Sequence, residues 1–229
     1  MNLAILQQSI KDFAGTLQSG KSDMHLYKYG LLDNFKSTWD LSAEDFGKMY
    51  DRALQSDVTR RWWKRDHYRP KEMMLVLIKH EEQYVRQAFK DLFNENKSIE
   101  SRLDRFIFYC DELLRMYKRA NPRSIENNHY QDSAMISLYL AGMYPEQYTL
   151  YPGRDIFNKA LRVLGAKESP DKDDLARFFK VSQIMYQYMM KDQKILAAIQ
   201  QGVRAEGNLL IVHEFLFGLA GVSDRTTPE

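Results

Sequence analysis

Apolar residues recur at steps of three and four along most of this chain, the signature of helices with one buried face. Leu3, Leu6, Ile10, Phe13, Ala14 and Leu17 form the first such stripe, and Tyr29 to Trp39 forms a short amphipathic segment. Ser42, followed by Glu44 and Asp45, predicts an N-cap for a helix running to about Leu54. Pro70 suits the first turn of a long helix carrying Met74, Leu77, Ile78, Val85, Ala88, Phe89 and Leu92, ending near Asn96. Ser98 predicts the cap of the next, whose stripe from Ile99 through Phe106, Cys110 and Leu113 to Tyr117 stops before Pro122. Asp132 opens a helix with Met135, Ile136, Tyr139, Leu140 and Met143, closed by Pro145. Beyond it, Ile156 to Leu164 stops at Gly165, and Asp173 or Asp174 opens a helix from Leu175 to Met189. Two more follow, near Lys194 to Val203 and Leu209 to Leu219.

The pattern predicts an all-α protein, an array of about eight to ten helices. "YTLYP" allows at most one short strand, near Tyr148–Tyr151. No repeat period or low-complexity block interrupts it. The expected organisation is a single helical domain over residues 1–222, with a soft division near 121–128 ("NPRSIENN") and a linker or tail at 223–229.

Composition narrows the setting. A hydrophobic share of 44% and an aromatic share of 13% in 229 residues suffice for a core. The formal charge of +2 is close to neutral, so any contact with DNA or RNA must come from a local patch. Cys110 stands alone, no signal peptide heads the chain, and no apolar run reaches the roughly 18 residues of a membrane helix. The expectation is a soluble cytoplasmic protein without a membrane partner.

Two fragments suggest a nucleotide hydrolase. Gly15 to Ser22, "GTLQSGKS", satisfies G-x-x-x-x-G-K-[ST], and Phe106 to Glu112, "FIFYCDE", looks like the strand and acidic pair that hold magnesium in such enzymes. A phosphate loop needs a buried strand leading into it. The residues before Gly15 have helical periodicity, with Lys11 and Asp12 where a buried strand would not tolerate them. "FIFYCDE" lies inside the regular stripe from Ile99 to Tyr117, so its Asp-Glu pair reads as a solvated helix edge.

Other chemistry is sparser. His80-Glu81-Glu82-Gln83-Tyr84 begins like a zinc-binding H-E-x-x-H but has Tyr84 where the second ligand belongs, and His213-Glu214 likewise lacks a second ligand. Asp91, Glu95 and Lys97 share residue types with a D…E-x-K nuclease site, yet they close a helix where that site needs a strand. Cys110 on an apolar stripe reads as inert filling. The sequence therefore predicts no catalytic residue, no metal and no cofactor for this chain.

The densest cluster is "RRWWKRDHYR": Arg60, Arg61, Trp62, Trp63, Lys64, Arg65, His67, Tyr68 and Arg69. Its cations can neutralise phosphates and its aromatic faces can stack on bases. The simpler reading is that Trp62 and Trp63 plug a core while the charges stay wet. A second candidate is "HYQD", where His129, Tyr130 and Asp132 form a polar, aromatic turn; Asp132 as a helix cap explains most of it.

Three stretches carry a resemblance: "PKEMMLVLIKHEEQYVRQAFKDLFNENKSIESRLDRFIFYCDELL" from Pro70, "NHYQDSAMISLYLAGMYPEQYTLY" from Asn128, and "DDLARFFKVSQIMYQYMMKD" from Asp173. Together they resemble the helical N-terminal region of McrB-like AAA-family ATPases of bacterial restriction systems. The resemblance implies a target-recognition module, followed in a longer protein by an AAA motor that works with a nuclease subunit. It carries no assigned site residues. Nor does the chain contain the differently built domain with which the best-studied member reads a flipped base, so methylcytosine specificity is not implied. Three functions follow as expectations: a nucleic-acid-sensing module of a phage-defence ATPase, a helical protein-interaction module docking a motor, nuclease or phage protein, or a stand-alone NTPase acting through Gly15–Ser22.

Overall fold

The computed structural model describes residues 1–18, 26–55, 68–170, 173–200 and 207–221. Ten helices run through them: α1 (Leu3–Gln18), α2 (Leu26–Thr38), α3 (Phe46–Ala53), α4 (Pro70–Leu92), α5 (Ile99–Ala120), α6 (Ser133–Met143), α7 (Arg154–Val163), α8 (Leu175–Met189), α9 (Gln193–Gln200) and α10 (Leu210–Ala220). No strand occurs among the described residues, and the fold is all-α. The chain gathers into two compact units, one of residues 1–29 with 144–229, the other of residues 30–143. The 121–128 stretch is internal to the second.

In the first unit α10 is apolar around its whole circumference, and Leu210 to Phe217 are all buried. A helix of that kind belongs inside a bundle. It packs on α7, with α1 and α8 also against it, and Phe13 of α1 meets Phe215 edge-on at 5.4 Å. Two polar side chains of α10 are satisfied internally. His213 Nδ1 bonds the Leu150 carbonyl at 2.8 Å, and Glu214 accepts from the fully buried Lys28 at 3.2 Å. The first of these answers one backbone carbonyl of the Tyr148–Tyr151 segment, which forms no strand. Tyr148 and Tyr151 pack edge-on against Phe179 and Phe178 of α8, at 4.8 and 5.0 Å, while His213 takes up the backbone between them. The aromatic residues that made this segment look strand-like serve helix packing.

The second unit is built on the hairpin of α4 and α5, with α3 against α4. Pro70 opens α4 and Ser98 caps α5 by accepting from the Ser101 amide at 3.3 Å. α4 ends at Leu92, and its backbone breaks helical geometry at Glu81 (φ −143°, ψ 63°). Phe89 lies at the centre of an aromatic core with Trp39, Phe46, Tyr50, Phe93, Phe106 and Tyr139. Gly142 is there for close approach: a Cβ at that position would stand 2.5 Å from the Phe35 ring.

One cap differs from expectation. Asp45, not Ser42, caps α3, its carboxylate accepting from the Lys48 amide at 2.9 Å. An anion at the first turn also meets the positive end of the helix dipole, which a hydroxyl does not. Ser42 instead closes a turn on Asp40, donating both its amide (2.8 Å) and its hydroxyl (2.6 Å) to one carboxylate oxygen.

Candidate nucleic-acid interface

The backbone is helical from Leu3 to Gln18, so α1 continues through Gly15, where a phosphate loop would require a strand and a turn. Gly20, Lys21 and Ser22 lie outside the described residues. Gly15 is exposed, with open space where a Cβ would stand. Gly15→Ala is therefore expected to stabilise the protein by about 0.5–1 kcal/mol, as an alanine does in an exposed helix interior. Amide protection along α1 checks this, and reduced protection in the variant would mean that the backbone at Gly15 is not helical in solution.

"FIFYCDE" lies wholly within α5. Cys110 is buried, and burial, with a smaller contribution from Asp111, pushes its thiol far above the ordinary range. Such a thiol stays protonated and is not a nucleophile. Glu112 pairs with Arg115 one turn on.

Of the nuclease-like trio, Asp91 and Lys97 do meet, but as a clamp. The buried Asp91 carboxylate accepts from Lys97 at 3.0 Å, from Arg105 through Nε at 3.1 Å and a terminal nitrogen at 2.8 Å, and from the Tyr109 hydroxyl at 3.0 Å. Glu95 pairs instead with Arg102. Three of these bonds fall on Oδ2 and one on Oδ1, so the carboxylate serves as the centre of an ion-pair clamp. Among the described residues, no three His, Cys, Asp or Glu side chains gather into a group that would hold a metal ion. His80 meets the ring of Tyr117 edge-on, 5.9 Å away.

The basic run divides at the limit of the described residues. Arg60, Arg61, Trp62, Trp63, Lys64, Arg65 and His67 lie outside them; Tyr68 and Arg69 lie inside. The Tyr68 hydroxyl donates to Asp132 at 3.0 Å, and its ring meets Tyr130 edge-on at 6.0 Å. Arg69, the N-cap residue of α4, pairs with Glu126. The end of the run and the "HYQD" turn, some sixty residues apart in sequence, are thus one locus. Asp132 also caps α6, accepting from the amides of Ala134 and Met135 at 3.1 Å each, so the cap reading of this residue holds. Tyr130 adopts a left-handed backbone (φ 58°), uncommon for an aromatic residue, with its amide donating to the Asn128 side chain at 2.6 Å.

No protein-family model, curated protein or solved structure matches the chain.

The charges named in this locus do not sum to a positive patch. Arg69 is answered by Glu126, while Asp132 and Asp111 flank His129. Beside the locus lies an open groove of about 620 Å³, lined by Tyr117, Pro122, Arg123, Ile125 and Glu126 among others. Ile125 is 86% exposed. One residue that matters here carried no signal in the sequence. Gln131 is fully buried and hydrogen-bonded throughout, yet a lone glutamine between a tyrosine and a capping aspartate has no periodic or motif signature.

Proposed function

We propose that this chain is a non-catalytic, nucleic-acid-sensing module of a McrB-like restriction ATPase, with the segment from Arg60 to Arg69 as its contact surface. The observation that supports this reading is the anchoring of the basic, aromatic run. Tyr68 on Asp132 and Arg69 on Glu126 tether the end of the run to the second unit, beside the aromatic turn at Tyr130. In a protein of formal charge +2, no other ten-residue stretch concentrates five cations with two tryptophans and a tyrosine. The motor and the nuclease belong, on this reading, to a longer protein and its partner. The helical backbone of α1 argues against nucleotide chemistry at "GTLQSGKS".

The test is filter binding of single- and double-stranded DNA and RNA over a salt series. The double variant Arg61→Ala/Lys64→Ala is expected to weaken binding by on the order of tenfold and to reduce the salt slope by about two counterions. Absence of binding by the native protein at low salt would sink the reading. A protein-docking module is favoured instead by the exposure of Ile125 (86%) and Phe108 (55%) on the second unit. It predicts a co-purifying protein partner and no affinity for nucleic acid.

A further inference from the structure

Gln131 is the polar hub of the second unit's core. Its side-chain NH₂ donates to the carbonyls of Pro70 at 2.9 Å and His129 at 3.1 Å, and its Oε1 accepts from the Tyr139 hydroxyl at 2.6 Å. Because Tyr139 gives its proton to Gln131, it accepts from Tyr50, 2.7 Å away. One bond at the edge of the hub depends on the state of the imidazole: the Gln131 backbone amide donates to Nδ1 of His129 at 2.9 Å. An imidazole nitrogen accepts only when it carries no proton. This bond therefore requires neutral His129 with its proton on Nε2, the nitrogen that faces Asp111 Oδ1 at 3.4 Å. Adding a proton to Nδ1 sets two N–H donors against each other at the edge of the buried network.

The groups around the ring oppose one another. Burial disfavours the imidazolium and dominates, holding His129 below its ordinary value of 6.5; Asp111 from α5, and more weakly Asp132 at the start of α6, favour it. Tyr68, from the segment before α4, stands on Asp132.

We infer that the His129–Gln131 turn is a proton-operated latch, closed when the imidazole is neutral and loosened when Nδ1 is protonated. Loosening frees the Gln131 amide and, one residue on, slackens the Asp132 carboxylate that holds Tyr68 and the end of the basic run. The latch acts within the fold and does not depend on what the protein binds. Its sign follows from linkage. A base whose folded value is depressed binds fewer protons folded than unfolded, so the closed state is complete above 6.5 and is lost as pH falls toward the folded value.

Amide exchange of the full chain, followed at Gln131 from about pH 8 to about pH 5 and corrected for intrinsic exchange, tests the latch. Protection is expected to fall on acidification, by about tenfold for each unit that His129 lies below its free value. In His129→Asn the side-chain oxygen can accept from the same amide without titrating. That variant is expected to stay protected at every pH. Asp111→Asn removes the main charge favouring the imidazolium, and should move the midpoint of the native ring, read by histidine NMR titration, to lower pH. Flat protection in the native protein overturns the inference, as does an equal fall in His129→Asn. So does an Asp111→Asn midpoint that is unchanged or raised, and this last result stands even if His129→Asn does not fold.

Discussion

Phe89→Ala is expected to cost the second unit about 3–5 kcal/mol, the range for emptying a fully buried phenylalanine site. The ring is completely buried and touches aromatic rings on every side: Trp39 at 4.8 Å, Tyr139 at 5.0 Å, Phe106 at 5.3 Å and Phe93 at 5.9 Å between centroids. The edge-on pairs with Trp39 and Tyr139 contribute beyond the area they bury. Rigid aromatic neighbours cannot collapse into the gap as aliphatic chains do, which places the loss toward the upper end of the range. The chain forms two compact units, so a single unfolding midpoint need not report one transition. Amide protection along α4 and α5 is the appropriate measurement. A loss below about 1 kcal/mol there would mean that the aromatic cluster is not the centre of this core.

The second large effect is expected at Asp91. Breaking a fully buried ion pair typically costs about 3–5 kcal/mol. Lys97 and Arg105 are 36% and 49% exposed, however, so water recovers part of their solvation when the carboxylate is removed. Asp91→Asn, which keeps the shape, is therefore expected to cost about 2–3 kcal/mol. Burial alone would raise this carboxyl, but hydrogen bonds from Lys97, Arg105 and Tyr109 outweigh burial and hold it below its ordinary value of 3.8. An acid depressed in the folded state adds stability that is present above the ordinary value and lost as pH falls through the folded one. The native protein should thus lose stability in acid more steeply than Asp91→Asn does. Parallel slopes in denaturant titrations below about pH 4 would show that the carboxylate's charge contributes nothing to the α4–α5 hairpin.

Much of the architecture was legible from residue spacing. The stripe from Leu3 to Leu17 became α1, the stripe from Ile99 to Tyr117 became α5, and Ser98, Asp132 and Asp174 cap the helices they precede. Asp173, the other residue weighed for that last cap, accepts from the Tyr151 hydroxyl instead, at 3.1 Å. Asp45 replaced Ser42 because two neighbouring residues competed for one cap, and only geometry separates them. The break at Glu81 follows no proline or glycine. The candidate site was legible only as two separate fragments. Nothing in either fragment indicates that Tyr68 would donate to Asp132 or that Arg69 would pair with Glu126.

Helices and their caps were readable because their determinants act within a turn or two: side-chain periodicity selects the buried face, and a carboxylate or hydroxyl reaches an amide two or three residues on. Which polar group answers which across the core was decided by packing alone. Tyr50 meets Tyr139 across 89 positions, and Gln131 reaches the Pro70 carbonyl across 61. A buried donor must find an acceptor wherever the chain brings one, and no local pattern records that destination.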